Sequence, residues 1–399
     1  MTKPHSEHTW QNIIDDLMRQ GVSNVFPAAT LIIQQNGQLL FHRAYGWINP
    51  QDKCWPVTPE SIFDLASLTK LFTATAFMTL VDAGKTTLET PVGEVVTEFN
   101  GYYPLQPGID PHTKKPLPQD PSLMKGKANG DLITFFHLLT HTSGLAAWDE
   151  LCRLDKHSGP PHELPADERR RRLSTFLTAP RFVQQPGKQF LYSDLGFILL
   201  GEAIERLAGM PLDEYIRHAV LKPLQATSIH FNPTTHGISK SHIAPTELCQ
   251  WRQRRVWGEV HDENSACLGG VAGHAGLFGT ARHVAALGQL FLDNGGEILT
   301  SASATAMVQN QTIPQHAHRG LGWQLYETTG PPAPSFTHRF GHTGFTGTSL
   351  WVDQQRRLVV TLLSNRVYFG RNPEPITRFR LRLHETITNV IPAPMDNRT

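Results

Sequence analysis

The stretch FDLASLTKLFTATAFM, Phe63–Met78, decides how the rest of the chain is read. Leu65, Leu68, Phe72 and Ala76 recur at helical spacing, which predicts a helix bound for the core. Lys70 interrupts this apolar run three residues after Ser67. A lysine can snorkel along its own stem to the surface. On a helix, however, residues i and i+3 are neighbours on one face, so the Ser67 hydroxyl and the Lys70 amine come within mutual reach. A serine hydroxyl is a poor nucleophile until a nearby base takes its proton. Burial pushes a lysine towards the neutral form that can act as that base. The N-terminal end of the helix adds N–H groups and a dipole that favour developing negative charge. Ser67 and Lys70 are therefore candidate nucleophile and base, although S-x-x-K alone is short enough to arise by chance.

Outward from this stretch, ATLIIQQNGQLLFHRAYGW reads as two strands joined at Asn36-Gly37, a strong hairpin signal. Ile13, Ile14 and Leu17 form one side of an amphipathic helix ending at Gly21. Residues 101–130 are rich in Pro, Gly and Lys and are expected to be a long loop, a common form for lids. A second irregular stretch covers 157–168. Helical patterns fill the middle of the chain, and strand-like alternation returns from about Leu321, followed by a final helix over ITRFRLRLHETITNV. This order predicts an α/β (α+β) fold. An antiparallel sheet would be made from residues 1–83 and 311–399, flanked by the first and last helices. Residues 84–310 would form an inserted, mainly helical lobe. Ser67 would then lie at the seam, where ligand sites commonly occur.

Two further motifs follow the first in order. Tyr192-Ser193-Asp194 stands directly ahead of the helix LGFILLGEAIE, and His342-Thr343-Gly344 lies on a predicted strand within RFGHTGFTGTSLWVD. Taken singly, Tyr192 reads as a buried aromatic and His342 as a strand-surface residue. Together with Ser67-x-x-Lys70, the ordered triple resembles the serine β-lactamase and penicillin-binding-protein superfamily. More closely it resembles the branch of class C β-lactamases, D-Ala-D-Ala carboxypeptidases, family VIII carboxylesterases and peptidoglycan amidases. FHLLTHTSGL, PLQATSIHF and GGVAGHAGLFGTA, the last preceded by HDEN, support it across essentially the whole chain.

The resemblance implies a β-lactamase-like fold and a cofactor-free acyl-enzyme mechanism. Ser67 would attack the carbonyl, and Lys70 and Tyr192 would share the proton work. The backbone N–H groups of Ser67 and Phe345 would form the oxyanion hole, with Asp194, His342, Thr343 and Gly344 lining the substrate site. Two positions depart from the usual pattern. His342 stands where lysine is usual, which weakens a fixed positive charge. Arg339 is a conceivable replacement, but strand alternation puts it on the opposite face. Asp194 stands for asparagine, and its carboxylate accepts hydrogen bonds without donating any. If it faces the site it should favour protonated Lys70 and shift the base role to Tyr192. The expected substrate is a small ester or amide, first of all a short acyl ester. A peptidoglycan-fragment amidase or D,D-carboxypeptidase comes second, and a non-catalytic sensor with the same fold is the alternative of another class.

Composition narrows the remaining classes. The 399 residues are 39% hydrophobic and 18% charged, with 36 basic against 35 acidic side chains and a formal charge of +1. That balance gives no electrostatic reason for a nucleic-acid or anionic-membrane partner. The Arg169–Arg172 run is expected to be a solvated helix face. No apolar run approaches the roughly 18 residues of a membrane span, and the first residues lack a secretory pattern, so a cytoplasmic location is expected. Cys54, Cys152, Cys249 and Cys267 are widely spaced, which argues against structural zinc and a disulfide framework. The 20 histidines include no HExxH, so no metal site is expected.

Overall fold

Alternating apolar residues build the sheet. The computed structural model describes residues 9–391 except 23, 111–112, 114, 119–124, 152–158 and 327–337. Its sheet strands are β1 (Ala28–Gln35), β2 (Gln38–Asn49), β3 (Cys54–Pro56), β4 (Gln324–Leu325), β5 (Arg339–Thr343), β6 (Ser349–Asp353) and β7 (Leu358–Ser364). They pair in the order β4-β5-β6-β7-β1-β2-β3, antiparallel throughout. The β1–β2 turn has Asn36 and Gly37 both at positive φ, 52° and 74°, as a hairpin with this twist requires. The β1–β7 pairing, in which Ile32 faces Thr361, joins the two ends of the chain in one sheet.

Period-two alternation then gives the sheet two apolar faces. On one face Ala29, Leu31 and Ile33 of β1 and Leu358, Val360 and Leu362 of β7 pack against two helices, α1 (Trp10–Gly21) and the C-terminal Glu374–Val390. On the other, Ala28, Ile32, Val359 and Leu363 join the larger core. The helix Ala281–Leu292 lies against this second face, with its Gly288 beside Val359, Leu350 and Val352. This helix comes from the segment assigned by sequence to the inserted lobe. Each large apolar side chain withdrawn from water here contributes roughly 1.5–3 kcal/mol.

The opening stretch is not one continuous helix. Phe63–Asp64 is a short strand, paired with Leu277–Gly279, which also pairs with His230–Phe231. A 3₁₀ turn covers Ala66–Leu68, and only then does α2 (Thr69–Asp82) begin. Residues 69–78 of α2 are all buried, which places it centrally rather than at the surface. It packs on α3 (Asp194–Ala208), capped by the Ser193 hydroxyl, which accepts from Gly196 N–H at 3.2 Å. The ends of the 101–130 stretch pair as Tyr102–Pro104 with Lys127–Asn129, and part of the remainder lies outside the described residues.

Three expectations need correction. Arg172 is buried and bound to Glu168, and Arg169 reaches Glu205, so only Arg170 and Arg171 of that run are exposed. Cys267 is disulfide-bonded, while Cys54 and Cys249 are free. The first helical turn of the opening stretch is displaced, because Asp64 and Leu65 spend their backbone groups on neighbouring strands. Among the described residues no helix is long and apolar enough to cross a membrane, and no group of three or more His, Cys, Asp or Glu residues is arranged to hold a metal ion.

Candidate active site

Ser67, the candidate nucleophile, sits on a turn that is held from several sides. Asp64 Oδ1 accepts the Ala66 N–H at 2.8 Å, and Leu65 N–H donates to Leu277 O at 2.9 Å. Thr346 and Thr348 donate from their hydroxyls to the carbonyls of Asp64 and Leu65, at 2.8 and 3.0 Å. Ala66 is held at φ 48°, an uncommon conformation that persists only where its surroundings impose it. These bonds present Ser67 at the start of α2.

Lys70 is completely buried, and three oxygens stand close to Nζ, two accepting hydrogen bonds and the third, on Asp194, forming an ion pair. Ser67 Oγ lies at 3.0 Å, His274 O at 3.0 Å and Asp194 Oδ1 at 2.7 Å. Burial by itself pushes Lys70 down, yet Asp194 and then Tyr192 outweigh it and hold the amine above its ordinary value. Lys70 is thus held as the ammonium, the state expected if Asp194 faces the site, and not the neutral amine that burial alone would favour. The sequence carries no measure of the 2.7 Å approach that decides this.

Tyr192 is half-buried, and its buried hydroxyl makes no well-formed hydrogen bond. Its ring centroid is 5.0 Å from Lys70 Nζ, 4.5 Å from the His141 ring and 5.8 Å from the His342 ring. Burial raises the phenol above its usual value, against the lowering effect of Lys70. The segment is fixed by the 141–147 loop. Ser193 Oγ donates to Ala146 O at 2.7 Å, Asp194 N–H to Ala147 O at 2.9 Å, and Ser193 N–H to His141 Nδ1 at 3.1 Å. His141 Nδ1 is therefore unprotonated, and burial followed by the charges of Arg319 and Lys70 keeps the ring neutral. Asp194 stands at the N-terminus of α3, where a carboxylate is favoured.

In the third motif, His342 Nδ1 lies 2.8 Å from Thr343 O. A carbonyl only accepts, so Nδ1 carries the proton and Nε2 presents a lone pair. Burial, then Arg319 and Lys70, pushes His342 down to about 3, so it is neutral at pH 7. Gly344 is required by close approach: a Cβ there would lie 2.1 Å from Thr348 Oγ1 and 2.6 Å from Leu65 O. Gly344 N–H donates to Thr348 O at 2.7 Å, and Phe345 O accepts from Arg366 at 2.9 Å. The strand end carrying Thr343, Gly344 and Phe345 is thus packed against the nucleophile turn.

The structure gathers Ser67, Lys70, Tyr192, Asp194, His342, Gly344 and the backbone at 345 in one place. Arg339 stays away, paired with Asp353 at 2.8 Å. Sequence reasoning missed Arg319. Its guanidinium carbon stands 4.8 Å from the Phe190 ring and 5.7 Å from the Tyr192 ring. It has no ion pair among the described residues, and Nη1 is buried without a partner. His141 was signalled only by the stretch FHLLTHTSGL, and nothing local marked Arg319.

The chain as a whole is similar to known proteins. A protein of Salmonella agona (strain SL483), provisionally named a D-alanyl-D-alanine carboxypeptidase, is 27% identical over 406 residues, covering 95% of this chain and 87% of the relative. Among solved structures, the octameric penicillin-binding protein homologue from Pyrococcus abyssi matches with a TM-score of 0.68 at 22% identity, covering 94% of this chain and 78% of that one. EstCE1, described as a hydrolase with promiscuous acyltransferase activity, matches with a TM-score of 0.67 at 21% identity, covering 95% and 98%. At these identities the two structures speak to the fold alone. Residues 10–384 match the Beta-lactamase family model, and the chain belongs to that family as a serine hydrolase.

Proposed function

We propose that this enzyme cleaves an acyl–D-amino-acid amide or ester whose leaving group ends in a free carboxylate, through an acyl-enzyme on Ser67. One observation carries the reading: Arg319 is a half-buried cation with no ion pair among the described residues, its Nη1 buried without a partner, beside Tyr192 and the neutral His342. An unpaired buried charge is costly, and a substrate carboxylate would satisfy it with a bidentate guanidinium contact. The provisional name of the Salmonella agona relative supports the same substrate class.

The proton path follows from the charges. As an ammonium beside three oxygens, Lys70 has no room for the Ser67 proton, which leaves Tyr192 as the base. Lys70 and Arg319 both face its ring, and opposite charge favours the phenolate fraction that burial makes scarce. Ser67 Oγ forms a bond to the carbonyl carbon as its proton passes to Tyr192. The oxyanion is received by the backbone N–H groups of Ser67 and Phe345. Tyr192 then returns the proton to the departing amine or alkoxide, and water releases the acyl group by the same steps reversed. Asp194 keeps Lys70 charged throughout.

The test compares an acyl-D-Ala-D-Ala peptide, its C-terminal amide, p-nitrophenyl butyrate and a β-lactam on wild type and Ser67→Ala. Preference for the free acid, lost with Ser67→Ala, is the expected result. Faster turnover of p-nitrophenyl butyrate than of any peptide favours the second reading, a short-acyl carboxylesterase, which the neutral His342 supports. No turnover and no labelling of Ser67 by a fluorophosphonate would leave a sensor module. For location, the disulfide at Cys267 supports an oxidising compartment over the expected cytoplasm. Thiol trapping in freshly lysed cells, with Cys267 unreactive until reduced, is the corresponding measurement.

A further inference from the structure

One loop touches three parts of the site without entering the reaction scheme. Arg252 clamps it by donating to the carbonyls of Val260 at 2.7 Å, His261 at 3.4 Å and Asp262 at 3.5 Å. The His261 N–H donates to Asp64 Oδ2 at 2.7 Å, beneath the nucleophile turn, and the His261 ring stacks on Phe345 at 5.5 Å. Asp262 Oδ1 lies 2.7 Å from His274 Nε2 and accepts the Ser265 N–H at 2.7 Å. His274 is 1% exposed, and its carbonyl is one of the three oxygens close to Lys70 Nζ. The neighbouring Gly273 carbonyl accepts the Thr73 hydroxyl of α2 at 2.8 Å. Nor can this segment shift: a Cβ on Gly273 would lie 2.2 Å from the Phe197 carbonyl of α3.

We propose that Asp262 and His274 are a positioning pair for Lys70. The ring-to-carboxylate contact fixes the His274 carbonyl as an acceptor of the ammonium, and the carboxylate's negative charge, with that of Asp194, keeps the ammonium protonated. This rests on Ser67 and Lys70 working as described above. Burial opposes ionisation of Asp262, but His274, the Ser265 N–H and the charge of Lys70 outweigh it and hold the carboxyl well below its usual range. The other charged and titratable groups facing the pair are Asp64 from the strand before α2, and Arg252, His261 and Glu263 from the loop region. A loop kept only for packing would need neither the carboxylate nor the imidazole, since Arg252 and Asp64 already secure its backbone.

The experiment reads the rate of Ser67 labelling by a fluorophosphonate against pH, in the full chain. Asp194→Asn identifies the limb belonging to Lys70, which moves to lower pH when a neighbouring negative charge is lost. Asp262→Asn is expected to move that limb the same way by on the order of one pH unit, a tenfold change in rate on its slope. His274→Ala removes the contact that fixes its carbonyl against Lys70 and helps keep Asp262 ionised, so it is expected to move the limb downward as well, while His274→Gln, which restores a donor towards Asp262, returns it towards wild type. Should Asp262→Asn fail to fold by circular dichroism, the two His274 variants carry the test. Limbs that stay in place for Asp262→Asn and His274→Ala, or a His274→Gln limb that stays with that of His274→Ala, would overturn the pair, whatever happens to the absolute rates. An unlabelled wild type would instead refute Ser67 as the nucleophile, and the proposal's premise with it.

Discussion

Replacing Arg319 by glutamine separates what this residue does for the substrate from what it does for the fold. With no anionic partner among the described residues and Nη1 buried without a hydrogen bond, Arg319 gives the free enzyme little in return for its burial. An unsatisfied buried polar group costs about 1–3 kcal/mol. Unfolding entropy near 2.1 cal/mol/K per residue makes each kcal/mol worth about 1 °C in a chain of this length. Arg319→Gln is therefore expected to leave Tm unchanged or raise it by about 1–3 °C. Against the substrate the balance reverses. A hydrogen bond to a charged group contributes about 1.5–3 kcal/mol, which is roughly a 10- to 150-fold loss in kcat/KM at 1.4 kcal/mol per tenfold. The assay is kcat/KM for an acyl-D-Ala-D-Ala peptide and for its C-terminal amide. The variant should lose the acid-over-amide preference while turnover of the amide falls less. Equal losses on both substrates would refute the carboxylate contact and leave Arg319 acting only on the charge of Tyr192. A large drop in Tm would refute the premise that the residue is unsupported.

Three other outcomes follow from the geometry. Asp194→Asn breaks a buried ion pair and should destabilise by roughly 3 kcal/mol or more, seen as a lower denaturation midpoint. Because the folded Lys70 value is raised, its stabilising contribution is complete below its unfolded value, near pH 10.4, and is lost as pH rises through the folded value; melts in the alkaline range, repeated on Asp194→Asn, should show the difference. His342 and His384 are both pushed down to about 3 by burial, so the unfolded chain binds more protons between about pH 3 and pH 6.5 and stability falls as pH drops through that window. Each contributes a slope of about 1.4 kcal/mol per pH unit there, and His384→Leu, away from Ser67, should remove one such increment from the pH dependence of unfolding. Gly344→Ala would place a methyl within 2.1 Å of Thr348 Oγ1. By displacing the strand end from the nucleophile turn it should slow acylation about 100-fold, read as fluorophosphonate labelling by a protein whose circular dichroism is retained.

The periodicities of the chain were enough to foresee the hairpin at Asn36-Gly37, the flanking helices and the union of both chain ends in one antiparallel sheet. The shared sheet was read from the order of elements along the chain, and the hairpin and helices depend on neighbours a few residues apart. Ser67 and Lys70 were legible for the same reason, since i and i+3 spacing is itself a distance. The start of α2 was misjudged because apolar spacing cannot show that Asp64 and Leu65 bond to neighbouring strands. The Arg169–Arg172 run was misjudged because nothing local told Arg172 that Glu168 and the Cys267 carbonyl would bury it.

The charge state of the site belongs to the tertiary structure. Sequence alone placed a lysine in an apolar helix and gave opposing reasons, burial for the neutral amine and Asp194, if it faced the site, for the ammonium. Folding brings Asp194 to 2.7 Å and the His274 carbonyl to 3.0 Å, and Coulomb attraction in a buried setting then outweighs desolvation. His342 remains neutral, and the cation without an ion pair among the described residues is Arg319, remote in sequence and unmarked by any motif. Residue types and local spacing determined that a serine could be activated here. Which neighbours are charged, and so what the serine would meet, depends on distances between segments far apart in the chain, and only packing sets those.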